Sequence, residues 1–193
     1  ITGGDIIFKG TRLFSLPESK MNTIRGRKIA MIFQEPQTSL NPVQTIGKQL
    51  QEAVLLHQHI TSNHLQDKLV SLLEEVGIPE PVARLQWYPH QLSGGQKQRV
   101  MIAMAIACEP ELLVADEPTT ALDVTIQRQI LVLLDGLRKT RNLSVLLITH
   151  DMGVVSERAD RVAVMQHGEI VEQADCQDFF VNPQHEYSKR LIN

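Results

Sequence analysis

The sequence predicts an α/β fold built on a mostly parallel sheet, with an all-helical segment inserted between its strands. Short apolar runs of strand length alternate with longer helical patterns, as they do when crossover helices join parallel strands. Several of these runs are nearly continuous in Val, Ile and Leu, as strands covered on both faces must be. Between the second run and the third, from about Val43 to Cys108, only helical patterns occur.

The runs that read as strands are Asp5–Phe8, Lys28–Phe33, Leu112–Ala115, Ser144–Ile148 and Arg161–Met165. Within the helical stretch, Leu65, Leu69, Leu72, Leu73 and Val76 fall on one stripe of a 3.6-residue period, the mark of an amphipathic helix. Gly77-Ile78-Pro79-Glu80-Pro81 breaks that pattern, and Val100–Cys108 is an apolar helix further on. After the third strand, Ile126, Ile130, Leu133, Leu134 and Leu137 repeat the amphipathic spacing. Residues 1–39 and 108–193 are therefore assigned to a sheet-containing core, and 40–107 to an inserted helical subdomain.

Composition narrows the function classes. At 193 residues, with 42% hydrophobic and 21% charged side chains, the chain has the balance of a globular core and not of a disordered segment. A net charge of −3 and a pI near 6.2 recommend neither nucleic acid nor anionic lipid as partner. The longest apolar run, Val100–Cys108, has nine residues, short of the ~18–20 that span a bilayer. Ile-Thr-Gly-Gly-Asp at the start has neither the basic nor the apolar part of a signal peptide. Cys108 and Cys176 lie far apart without metal-type spacing, which argues against a disulfide scaffold. Cys108 reads as a small core residue and Cys176 as one that can lie exposed. Trp87, beside Tyr88 and Pro89, reads as packing at a turn.

Leu112-Leu113-Val114-Ala115-Asp116-Glu117 ends a buried strand in two carboxylates, at the edge where parallel sheets bind ligands. Asp116 can hold Mg²⁺, and Glu117 can orient and polarise a water. An acidic turn before Pro118 is the plain alternative. Upstream, Leu92-Ser93-Gly94-Gly95-Gln96-Lys97-Gln98-Arg99 leads into the apolar helix. Ser93 is a good N-cap, the glycines allow close approach of backbone to a ligand, and free N–H groups at a helix start suit a phosphate.

Taken in order, Leu-Ser-Gly-Gly-Gln, an apolar strand ending Asp-Glu-Pro-Thr, then Ala121-Leu122-Asp123, then strand Ser144–Thr149 ending in His150-Asp151, resemble the ATP-binding-cassette ATPases that serve ABC transporters. The resemblance runs from Ile32 to Gly168. It implies a P-loop NTPase-like core with an inserted helical subdomain. It also implies roles: Gln34 as the Q-loop glutamine that reaches Mg²⁺ and the attacking water, and Ser93, Gly94, Gly95 and Gln96 as the signature motif that contacts the γ-phosphate of a nucleotide held mainly by a second copy. By the same resemblance Asp116 is the Walker B aspartate, Glu117 the catalytic glutamate, Asp123 the D-loop aspartate at the dimer interface, and His150 the switch histidine that senses the γ-phosphate. The substrate implied is ATP, with Mg²⁺. The partners implied are a second cassette, head to tail, and transmembrane permease subunits, at the inner face of the cell membrane and without nucleic acid. The string Met31-Ile32-Phe33-Gln34-Glu35-Pro36-Gln37-Thr38-Ser39-Leu40-Asn41-Pro42 is similar to the peptide/nickel import branch. His185-Glu186-Tyr187-Ser188-Lys189-Arg190-Leu191 resembles that branch's His-Pro-Tyr-Thr element, with Glu186 where proline is usual.

No Gly-x-x-x-x-Gly-Lys-Ser/Thr occurs among the 193 residues, and Gly47-Lys48 is followed by Gln49. In the family that phosphate-binding loop precedes the point where this chain begins, so the expectation is a chain lacking its N-terminal segment. Such a chain is expected to expose apolar sheet faces, to associate, and to hydrolyse ATP negligibly by itself. Two other readings compete: a non-catalytic module lending its signature half-site to a partner cassette, and a cassette ATPase of translation or DNA repair. The Thr38–Pro42 string and the lack of basic charge oppose the latter.

Overall fold

Three of the apolar runs pair into a parallel sheet in the order β3-β4-β5, with β3 at Ile29–Ile32, β4 at Leu112–Asp116 and β5 at Ser144–Ile148. The computed structural model describes residues 4–34, 39–58, 60–120 and 122–192. Glu35–Thr38 of the string after Gln34, His59 and Ala121 lie outside them. The chain divides into two compact units, Ile1–Leu147 and Ile148–Asn193.

The first unit opens with an antiparallel hairpin, β1 (Ile7–Phe8) and β2 (Thr11–Arg12), then a short helix α1 (Glu18–Met21). Lys9 and Gly10 both take positive φ, 47° and 78°, as a two-residue hairpin turn of matching twist requires. Only two residues of the expected run Asp5–Phe8 form ladder, because the partner strand is itself two residues long. After β3 come α2 (Ile46–Leu55), α3 (Ser62–Glu75), α4 (Pro81–Arg84) and α5 (Gly94–Ile106), and α6 (Val124–Thr140) joins β4 to β5.

The predicted stripes are the buried faces. Leu69, Leu72, Leu73 and Val76 of α3 and its end are buried, as are Ile130, Leu134 and Leu137 of α6. They share one apolar cluster with Leu50 and Val54 of α2, Ile102 and Ile106 of α5, and Ala30, Ile32 and Leu113 of the sheet. Along β3, residues alternate: Ala30 and Ile32 are buried, while Met31 and Phe33, on the other face, are 41% and 55% exposed. Arg141 clamps the helices where α6 ends. Its guanidinium meets both carboxylate oxygens of Glu75, at 2.6 and 2.5 Å, and donates to the Ile106 carbonyl at 3.2 Å, a two-point geometry that Lys cannot copy.

β4 pairs with β3 from Ile29↔Leu112 to Ile32↔Ala115. At its amino end Glu111 N and Leu112 N donate to the Lys28 carbonyl, and Ser144 N donates to the Glu111 carbonyl. The Glu111 carboxylate pairs with Lys28 at 2.6 Å and also with Lys9.

The second unit holds α7 (Met152–Arg158), an antiparallel pair β6 (Arg161–Gln166) and β7 (Glu169–Asp175), α8 (Cys176–Val181) and α9 (Glu186–Ile192). Val162, Val164, Cys176 and Phe179 form its buried cluster. Cys176 is therefore in the core, not exposed, because it begins the helix that covers β6 and β7. Cys108 is half-buried and its thiol donates to the Ala53 carbonyl at 3.2 Å. Burial pushes that thiol's pKa up, with Lys68 opposing. Trp87 lies under the Arg84 guanidinium, 3.6 Å from the ring centroid. Among the described residues no helix is long and apolar enough to cross a membrane.

The two lysines hold the Glu111 carboxyl far below its ordinary 4.5, at about 2, chiefly through hydrogen bonds from Lys28 and Lys9. Above 4.5 the carboxylate is charged in both folded and unfolded chains and the stabilisation is complete. As pH falls from 4.5 toward 2 the unfolded chain takes up the proton first, and the contribution fades. Urea midpoints should therefore drop less steeply across this interval in Glu111→Gln than in the wild type; equal slopes would refute the coupling.

Candidate functional site

Parallel pairing decides what meets at the carboxyl edge. Continuing the register two positions past Ile32↔Ala115 sets Gln34 opposite Glu117. There the Gln34 amide Nε2 donates to Glu117 Oε2 at 3.0 Å. Asp116, half-buried, closes β4 one residue earlier. Glu117 itself has φ of 42°, a left-handed backbone that non-glycine residues seldom adopt. Pro118 and Thr119 then make a turn closed by Thr120 N donating to the Glu117 carbonyl at 3.1 Å. Thr120 Oγ1 adds a second bond, to Glu117 Oε2 at 2.8 Å.

Ser93 to Gln96 form their own group. Ser93 Oγ accepts from Gln96 N at 3.3 Å, and the Gln96 side-chain oxygen accepts from Ser93 N at 3.0 Å. This reciprocal cap starts α5. Asp123 caps α6 with a single bond, accepting from Ile126 N at 2.9 Å. The two helix starts touch: a Cβ built on Gly95 would stand 2.7 Å from Ile126 Cγ2, and one on Gly94 would stand 3.4 Å from Leu122 Cδ2. His150 belongs to the second unit. It lies between β5 and Asp151, which caps α7 by accepting from Gly153 N at 2.9 Å and Val154 N at 3.2 Å.

The structure thus unites Gln34 with Glu117, next in sequence to Asp116, and Gly94 and Gly95 with Leu122 and Ile126 on either side of Asp123. Two further residues, Thr120 at the site and Gln49 away from it, were not singled out in the sequence. Thr120 holds Glu117; its signal was a hydroxyl three residues after a carboxylate, across a proline. Gln49, buried in α2, accepts from Asn41 N at 2.8 Å and donates to the carbonyls of Asn41 and Gln44, each at 3.0 Å. It pins residues 41–44, where the string that contains Gln34 ends, and no local pattern announces it.

The family profile described as "ABC transporter" matches residues 1–120. The chain belongs to the ABC transporter family. Dipeptide transport ATP-binding protein DppD of Bacillus subtilis is 52% identical over 192 residues, covering 100% of this chain and 57% of that protein. The probable peptide ABC transporter ATP-binding protein y4tR of Sinorhizobium fredii is 53% identical over 191 residues, 99% of this chain and 57% of its own length. The chain thus spans little more than half of these relatives. Among solved structures, the dimeric post-hydrolysis ATP-binding cassette MJ0796 bound to ADP and Pi superposes with a TM-score of 0.77 at 27% identity, over 91% of this chain and 74% of that one. The cbiO1 cassette of Clostridium perfringens gives 0.79 at 25% identity, over 94% and 69%.

Ile126 is β-branched and stiff at χ1, so the contact under Gly95 cannot be relieved by a side-chain tip alone. Gly95→Ala should cost ~1–3 kcal/mol of unfolding free energy through overpacking. Gly94→Ala, with ordinary contact distance, should stay within about 1 kcal/mol of wild type. Urea unfolding of the two variants checks this; equal effects would mean that the α5–α6 contact does not set the choice of residue.

Proposed function

We propose that this chain is part of an ATP-hydrolysing subunit that energises the import of peptides. The observation that supports this best is the Gln34–Glu117 pair next to Asp116 at the carboxyl edge of parallel strands, in a chain whose relatives carry peptide and dipeptide transport names.

In this reading ATP is the substrate. Glu117 orients a water and draws its proton while the water oxygen bonds to the γ-phosphorus; the bond to the β–γ bridging oxygen breaks, and ADP and phosphate leave. His150 donates a hydrogen bond to the γ-phosphate. Ser93, Gly94, Gly95 and Gln96 meet the γ-phosphate of a nucleotide bound mainly by a second cassette, through N–H groups that a helix start leaves without intrahelical partners. Asp123 lies at the seam between the two cassettes. The helical segment 40–107 carries the signature motif as a subdomain on the sheet-containing core. Permease subunits anchor the assembly at the inner face of the cell membrane.

The residues present fit Mg²⁺. Asp116 offers a carboxylate, and Gln34, whose Nε2 is engaged by Glu117, keeps its amide oxygen as acceptor. Both are hard oxygen donors of the kind Mg²⁺ takes, with phosphate and water oxygens completing the shell. When bound, the ion neutralises charge developing on the phosphates.

A second reading rests on the intact segment Leu92–Gln96 alone. The chain would then be a non-catalytic module that completes a partner's site.

Phosphate release by the protein carrying this chain, assembled with its permease, should fall by about 10²-fold or more in Glu117→Gln. The 193-residue chain alone should release phosphate at background level. Undiminished release in Glu117→Gln would refute the catalytic reading. Failure of the chain to associate, with nucleotide, with a complete cassette would remove the module reading.

A further inference from the structure

The bond from Thr120 to Glu117 is not needed to close the turn. Its backbone bond, Thr120 N to the Glu117 carbonyl at 3.1 Å, already does that, and Pro118 at the second position fixes φ there. The hydroxyl acts on something else. It donates to Glu117 Oε2 at 2.8 Å, the oxygen that also receives the Gln34 amide at 3.0 Å.

A glutamate carboxylate turns on a broad, two-fold terminal torsion. Left to itself it presents either oxygen in many orientations. Here two donors from different elements converge on one oxygen, one from the turn after β4 and one from the end of β3. Together they set which oxygen is held and the plane in which the other lies. For a group that must align a water with a phosphorus atom, misplacement by about 1 Å costs as much as 10²-fold in rate.

We propose that Thr120 is a positioning residue for Glu117: its hydroxyl, with the Gln34 amide, fixes the carboxylate in the orientation used on the attacking water. This rests on the reading of Glu117 as the residue that acts on that water. Thr120 touches neither substrate nor water in this account and acts through Glu117 alone. A hydroxyl is required and its methyl is not, so serine should serve and valine, the isostere without a donor, should not.

The test combines crystal structures and kinetics of the protein that carries this chain. In Thr120→Val, the backbone turn should persist while the Glu117 carboxylate rotates and its contact with Gln34 lengthens beyond hydrogen-bonding distance; in Thr120→Ser, both contacts should remain. In the assembled protein, Thr120→Val should lower kcat roughly 10-fold with KM for ATP changed by less than about twofold, and Thr120→Ser should restore kcat to within about twofold. A carboxylate that stays in place in Thr120→Val overturns the proposal, as does a kcat unchanged by that variant or a serine variant as impaired as the valine one. Glu117→Gln separates the two readings. If Glu117→Gln leaves phosphate release intact, the catalytic reading of Glu117 falls, whatever Thr120 does to the carboxylate in the crystal.

Discussion

A slip of one residue between β3 and β4 would set Gln34 against Asp116 or Pro118 and turn Ala30 and Ile32 out of the core, because side chains in a strand alternate faces. The Gln34–Glu117 contact exists only in the observed register. That register is held from two directions. At the amino end, the bonds from Glu111 N and Leu112 N to the Lys28 carbonyl and the Lys28–Glu111 ion pair align the strands. In the middle, Ala30, Ile32, Leu113 and Ala115 are buried.

The sequence disclosed most where burial and periodicity coincide. The stripes of α3 and α6 and the strands β3 and β4 lie where apolar spacing puts them, because their buried residues are the core; β5 forms where its apolar run predicts, but it is not covered on both faces, since Leu146 and Ile148 are 53% and 44% exposed. It disclosed less where pairing depends on a polar partner. β2 and β7 were not anticipated: Thr11–Arg12 and Glu169–Asp175 carry few apolar residues and become strands only by pairing with β1 and β6. A signal for β7 was present in His167-Gly168, both at positive φ (53° and 86°), the pair that a tight hairpin turn favours. For the site, the acids at the end of β4 were legible because a strand end is legible. Thr120 and Gln49 were not, since their partners are set by turn and tertiary geometry.

Ser93, expected to contact a nucleotide, and Asp123, expected at an interface between cassettes, also cap their own helices. The double use has a physical basis. A side chain that satisfies the orphan N–H groups of a first turn sits at the positive end of the helix dipole, and the same spot attracts an anionic ligand. At Ser93 the cap therefore stands where the proposed nucleotide contact would be made. The close packing of Gly95 on Ile126 then ties the two capped ends together.

Glu117 shows the opposite relation, in which local backbone preference and the residue present conflict. Its φ of 42° places a long side chain in the left-handed region, and the following Pro118 independently steers the residue before it toward extended backbone. Such a conformation costs ~1–3 kcal/mol and persists only where surrounding structure imposes it. Here Pro118 is buried, the turn is closed by Thr120 N, and the Thr119 carbonyl accepts from both Leu122 N and the Gln127 side chain. Glycine would take this backbone without strain. On the proposed reading of Glu117, the turn is held for the sake of its carboxylate, which glycine could not supply.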